Sequence, residues 1–303
     1  MNNPQAKQVL AQQGKSFYWA SLFLGTTLAD RAARLYQFCR FVDDLADGDL
    51  PDRLDSLEDI RAGLTDPQHP AVTKIPELDA FINLASETNL PLNAAVELLD
   101  GMLRDQHPTA LESEAELLRY CHAVAGTVGL MMCRVLNCQQ PRADSFAIDL
   151  GIAMQLTNIA RDVLEDAKMD RRYLPVKWLN RPLSPEAIAR AGNNALLPVA
   201  GAIDQLLALA DRYYASALQG IHLLPWRSRF SIIVALRVYR QIGCQLKRGG
   251  LIWWQGRTVV SKITKVRLSI SSLADLLAGL SPKPVPEHNS ALHRHLKGLA
   301  GVE

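Results

Sequence analysis

Gln155-Leu-Thr-Asn-Ile-Ala-Arg-Asp-Val-Leu-Glu-Asp166, continued by Ala167-Lys-Met-Asp-Arg-Arg-Tyr173-Leu-Pro175, is the stretch on which the fold turns. Met154, Ile159 and Val163 recur near the helical repeat, and Leu156 and Ala160 fill the same side, so the stretch reads as an amphipathic helix that is over by Pro175. Asp162 and Asp166 stand four residues apart on one face, with Asn158 one turn earlier on the same stripe. Like charges stacked in this way cost an isolated helix a few tenths of a kcal/mol, which implies a cation between them.

A second copy of the device lies upstream in Leu35-Tyr-Gln-Phe-Cys-Arg-Phe-Val-Asp43-Asp-Leu-Ala-Asp47, where Asp43 and Asp47 share a face and Asp44 flanks the first. Two such helices facing one another make an all-oxygen ligand set of the kind hard Mg²⁺ or Mn²⁺ prefers, completed by water and phosphate oxygens. Either pair alone reads more readily as a solvated acidic helix end, with Arg40 and Asp44 as an ordinary ion pair. Two pairs, each flanked by an arginine and the second accompanied by Gln155, Asn158 and Tyr173, favour a metal site of Asp43, Asp47, Asn158, Asp162 and Asp166.

These motifs, in this order, resemble the squalene and phytoene synthases, which join two prenyl diphosphates head to head. The resemblance runs from Ser16-Phe17 through Cys39 to Asp47, Tyr120 to Met132 and Gln155 to Pro175, and ends at Val238-Tyr239-Arg240-Gln-Ile242. It implies an all-α bundle of the isoprenoid synthase type around one central cavity. It further implies that Ser16 and Phe17 line the diphosphate and prenyl pocket, that Tyr120 contacts the reacting intermediate, and that Arg257 helps hold diphosphate. Within the family the resemblance is strongest to bacterial phytoene synthases, which use two geranylgeranyl diphosphates and no NADPH. The alternatives are a squalene or dehydrosqualene synthase using farnesyl diphosphate, and a non-catalytic scaffold, which would be expected to have lost one acidic pair. Where the family has Gly-Arg before Tyr-Leu-Pro, this chain has Asp170-Arg171-Arg172, a charge in place of a glycine.

The chemistry fits the residue types. An allylic diphosphate ionises when the charge gathering on its oxygens meets preplaced cations, here metal on the aspartates together with Arg40, Arg161 and Arg257. Tyr36, Phe17 and Tyr239 offer aromatic faces to carbocations but are equally core candidates. Gly126 and Gly129 each cost a helix about 1 kcal/mol relative to Ala. Their small size, with Ala125, leaves a channel for a prenyl chain lined by Val128, Met131 and Met132; close packing against another backbone is the competing reason.

The 303 residues carry a net charge of +2, which gives nucleic acid no electrostatic hold. Five cysteines, odd in number and without a Cys-x-x-Cys pair, read as reduced core residues of a cytoplasmic protein. The amino terminus lacks the pattern of a signal peptide, and the apolar run Ala123 to Cys133 is too short to span a bilayer.

No composition break divides the chain, so one all-helical domain is expected over 1–303, with residues 281–303 a mobile tail. A long helix is expected from about Ala115 to Leu136, opened by a capping box at Ser113 to Glu116. Asp105-Gln-His107 resembles a family segment near the metal, with no metal role for His107. An apolar product calls for transient contact with the inner face of the membrane, for which Trp253-Trp254 and the neighbouring Lys262, Lys265 and Arg267 are the candidates.

Overall fold

The computed structural model describes residues 4–48, 52–105, 109–278 and 287–302. Its helices are α1 (Pro4–Gln13), α2 (Lys15–Ser21), α3 (Thr26–Asp47), α4 (Arg53–Thr65), α5 (Pro70–Lys74), α6 (Pro76–Thr88) and α7 (Leu92–Arg104), followed by α8 (Glu114–Cys121) and α9 (Thr127–Val135). Then come α10 (Pro141–Lys168), α11 (Pro185–Ala189), α12 (Asn193–Gly220), α13 (Trp226–Arg248) and α14 (Lys262–Ala278). The expected all-α bundle is the architecture found. Among the described residues no helix is long and apolar enough to cross a membrane.

α10 is the axis. Ile148, Ile152, Leu156 and Ile159 are fully or almost fully buried, and the helix packs on α9, α12 and α13. The approach to α9 is set by two glycines: a Cβ on Gly129 would lie 2.1 Å from the carbonyl oxygen of Ala147, and one on Gly151 2.1 Å from that of Ala125. Backbone contact between helices is therefore the reason for Gly129, although the residue also borders a cavity.

The expected helix over 115–136 is broken by a π-helical turn, His122–Gly126. The wider turn takes in an extra residue and re-aims the side chains that follow, a feature common at functional sites. Periodicity does not reveal it, because what secures the turn is distant in sequence. The buried His122 bonds Glu97 on α7 through Nδ1 at 2.9 Å and the carbonyl of Ala300 through Nε2 at 3.0 Å. Ser113 caps the helix, its hydroxyl accepting from the Glu116 N–H, while the Glu116 carboxylate reaches one residue past the cap to accept from the N–H of Glu112.

A two-residue parallel pairing that alternation could not signal joins β1 (Thr109–Ala110) to β2 (Arg171–Arg172). The buried Arg172 secures this loop by donating to the carbonyls of Leu111 and Leu174. Asp170 makes the turn with φ 59°, a left-handed conformation that Asp tolerates better than most residues.

The tail departs from expectation. Residues 281–286 lie outside the described residues, but 287–302 pack on the bundle, with Leu292 and Leu296 buried and a short 3₁₀ turn over Ser290–His293. His288 and His293 donate through Nε2 to separate oxygens of Asp149 at 2.9 and 2.7 Å, and Ser216 donates to one of the same oxygens at 2.5 Å. Asp149 is wholly buried, so these donors replace its water. The five cysteines are free, and three of them, Cys121, Cys133 and Cys138, are buried.

Burial by itself would raise the Asp149 pKa, but the bonds from His288, His293 and Ser216 outweigh it and hold the carboxyl below its usual range. Its stabilising contribution is therefore complete above the unfolded value of about 3.9 and is lost as the pH falls through the lower folded value. We expect His293→Ala to lower the unfolding free energy by about 1–3 kcal/mol in urea titrations at neutral pH. The gap between variant and wild type should close only in acid.

Candidate active site

The two acidic helices meet. Asp43 and Asp47 from α3 and Asp162 and Asp166 from α10 border one cavity of about 200 Å³, together with Tyr120, Gln155, Asn158 and Tyr173. The spacing of four residues delivers each pair to the same face, and packing brings the two faces together.

The crowding shows in the electrostatics. Burial, followed by the charge of Asp162, pushes the Asp166 carboxyl up to about 8. Burial also lifts Asp43 to about 6, with Arg40 opposing and Asp47 and Asp44 adding to the rise. These carboxylates lack positive charge in proportion to their number. The amide oxygen of Asn158, buried on the same stripe, has no hydrogen-bond partner among the described residues, while its nitrogen donates to Gln155 at 3.3 Å. An all-oxygen set that is short of positive charge and includes an unengaged carbonyl-type oxygen fits a hard divalent cation.

Arginines frame the cavity. Arg161 bonds both oxygens of its neighbour Asp162 at 2.7 and 2.5 Å, and Arg257 bonds the same two oxygens at 2.8 and 3.0 Å. Arg40 binds Asp43 at 2.8 Å and also pairs with Asp44, which turns Asp44 away from the cluster. Tyr120 and Tyr173 stack with ring centroids 4.5 Å apart.

Two charged residues of the site went unassigned in the sequence. Asp105, at the end of α7, accepts from the Tyr173 hydroxyl at 3.0 Å and is also hydrogen-bonded by Tyr120. Arg171 reaches Asp47 at 2.8 Å and lines the cavity. The signals were there, in the segment beginning at Asp105 and in the extra charge before Tyr173. Placing them required the β1–β2 pairing, which joins loops more than 60 residues apart. His107 lies outside the described residues.

A second cavity of about 260 Å³ shares Val124, Gln155 and Asn158 with the first and is otherwise almost wholly apolar. Phe17, Tyr36, Ala125, Val128, Gly129 and Met132 line it, as expected for a prenyl channel. Met131 does not: it is fully buried in the core. Gly126 also lies outside the lining, held by tight contacts to His122 and Ile148. Ser16 borders neither cavity. Tyr239 lies behind Phe17, ring centroids 5.0 Å apart, and so supports the wall without lining it. Trp253 is 1% exposed and packs edge-on against the half-buried Trp254, so Trp253 is not a surface anchor.

Comparison with known proteins agrees with this geometry. The sequence profile of the squalene/phytoene synthase family matches residues 10–264. A phytoene synthase from Pseudescherichia vulneris is 33% identical over 292 residues, covering 93% of this chain and 94% of that protein. A 15-cis-phytoene synthase from Enterobacter agglomerans is 36% identical over 270 residues, covering 85% and 90%. Among solved structures, a dehydrosqualene synthase superposes with a TM-score of 0.77 at 25% identity, covering 90% of this chain and 96% of that one. A squalene synthase from Alicyclobacillus acidocaldarius shares the fold at a TM-score of 0.69 and 22% identity, covering 82% and 93%.

If the two walls hold cations jointly, Asp43→Asn and Asp162→Asn should each weaken Mn²⁺ binding, followed by electron paramagnetic resonance, beyond the 10–100-fold or so typical of outer-shell losses. Helical circular dichroism should stay unchanged. Wild-type affinity in both variants would exclude these carboxylates as ligands.

Proposed function

The chain belongs to the squalene/phytoene synthase family, and from that premise we propose that it condenses two geranylgeranyl diphosphates head to head into phytoene, within a single all-helical domain. The observation that carries this reading is the shared wall of Val124, Gln155 and Asn158, which sets an acidic cavity against an apolar chamber. A substrate with a charged diphosphate head and a long hydrocarbon tail needs that pairing. The C20 substrate is favoured over farnesyl diphosphate by the similarity to proteins named phytoene synthase. Both acidic pairs are intact, which speaks against a non-catalytic scaffold.

Asp43, Asp47, Asn158, Asp162 and Asp166 would hold Mg²⁺ or Mn²⁺, which when bound supplies positive charge to a departing diphosphate. Arg161 and Arg257, now paired with Asp162, are placed to bind phosphate oxygens, and Arg40 and Arg171 flank the opposite wall. The allylic C–O bond breaks, the diphosphate leaves with the electron pair, and the C1 cation stays on the chamber side. Apolar walls keep water from it, so the double bond of the second substrate attacks instead. Loss of one proton closes a cyclopropylcarbinyl diphosphate. That compound ionises in turn, its cation rearranges, and loss of a second proton forms the central double bond.

The stacked Tyr120 and Tyr173 hold their hydroxyls on Asp105 at the cavity wall. Burial keeps Tyr120 protonated far above the usual tyrosine range, so it meets a cation as a neutral hydroxyl and ring. Proton loss consumes no hydride, and the reading therefore includes no NADPH. A product of this kind leaves for a lipid phase, which makes the enzyme a cytoplasmic protein in reversible contact with a membrane surface.

Product analysis with geranylgeranyl and farnesyl diphosphates in competition, with and without NADPH, tests the assignment. We expect phytoene from the C20 substrate, unaffected by NADPH. A strict NADPH requirement or consumption of farnesyl diphosphate alone would transfer the enzyme to the squalene branch. Asp43→Asn and Asp162→Asn should each cut turnover about 10²–10³-fold.

A further inference from the structure

The helix α14 is inside out. Its inward side carries Lys265, Ser269 and Ser272, which are 8%, 8% and 0% exposed. These side chains are occupied: Lys265 donates to the carbonyl of Lys15, Ser269 accepts from the indole of Trp19, and Ser272 donates to the carbonyl of Leu268. The outward side carries Ile263, Val266, Ile270 and Leu273, at steps of three, four and three residues, and these are 75%, 43%, 64% and 47% exposed. Val259, just before the helix, is 74% exposed. Steps of three and four residues align these side chains in one stripe, and isolated exposed apolar residues would not form such a line.

The charge around the stripe is one-sided. Residues 212–274 contain eleven Lys and Arg and no Asp or Glu, in a chain whose net charge is only +2. On α14 itself Lys262 and Arg267 are exposed beside the apolar line. Some of the eleven are neutralised by acidic residues elsewhere, as Arg240 is by Asp211 and Lys247 by Asp204. The apolar surface continues past α14: Arg237 on α13 donates to Ser271, and on the same stripe of α13 lie Trp226, 70% exposed, and Phe230, which meets Phe23 edge-on at 4.9 Å. Arg227 covers the Trp226 ring.

We propose that the outward face of α14, whose first thirteen residues end this basic segment just before Asp275, docks the protein on an anionic lipid bilayer. An apolar stripe flanked by lysine and arginine is the form in which a helix lies in a membrane interface, its side chains in the acyl region and its cations at the headgroups. A second copy of this chain would bring the same positive surface against itself. The face is also next to the chamber: Phe17, Ala20 and Ser21 of α2 and Ser231, Ile232 and Ala235 of α13 form part of the chamber wall, and α14 is held to those same two helices. The proposal names the surface for the lipid contact inferred above and rests on that reading for the identity of the product, but not for the binding itself.

Sedimentation with phosphatidylcholine vesicles, with and without phosphatidylglycerol, tests it. Wild-type protein should pellet with the anionic vesicles at low salt and be released by high salt. Ile263→Asp with Ile270→Asp should remain in the supernatant while keeping the wild-type melting temperature and its turnover in detergent. Lys262→Gln and Arg267→Gln should each weaken binding about fivefold. The proposal is overturned if the wild type ignores anionic vesicles, if the double variant pellets as well as the wild type, or if light scattering shows a dimer that the aspartates dissociate in a protein that binds no vesicles. Vesicle binding without turnover of geranylgeranyl diphosphate would support the docking face and overturn the phytoene reading alone.

Discussion

Carboxylates that repel one another are held together in one partly buried cavity, and much of the architecture follows from that constraint. Asp43, Asp47, Asp105, Asp162 and Asp166 all border it, and at close range in a medium less polarisable than water their repulsion is strong. The protein offsets it with guanidinium groups: Arg171 on Asp47, Arg161 and Arg257 on Asp162, and Arg40 on Asp43. Burial first, and neighbouring carboxylates after it, still raise the pKa values of Asp43 and Asp166.

Holding such a site requires a rigid frame, and it is provided by backbone contact more than by side-chain bulk. Gly129 and Gly151 let α9 and α10 touch carbonyl to Cα, which leaves no slack for α10 to rotate its aspartates out of register. The π turn at His122–Gly126 lies beside this seam, between Tyr120, which faces the acidic cavity, and Val128, which faces the chamber, and its own Val124 borders both. His122 is held in turn by Glu97 and the carbonyl of Ala300, so the last residues of the chain brace a turn at the centre of the site.

The same division between polar and apolar partners recurs on a larger scale. Five aspartates gather at the cavity, while the basic segment from 212 to 274 carries most of the inverted helix α14 on the outside. A net charge of +2 conceals this separation.

Much of this was legible in the residues. The two i, i+4 aspartate pairs, the companion Asn158 and the apolar helical periods determined the all-α class and four of the carboxylates that border the acidic cavity, because helix geometry is local and a spacing of four always returns to the same face. The order of motifs added Tyr120, Gln155 and Tyr173 by resemblance. What tertiary structure alone decided involves contacts between distant segments. Arg171 and Asp105 enter the site through a two-residue strand pairing; Ser16 is left out of both cavities and Tyr239 is moved behind Phe17. Trp253 is drawn into the core while Ile263 and Ile270 remain outside, and the tail folds onto Asp149. A helical period says which residues share a face; which neighbour that face meets depends on how the whole chain packs.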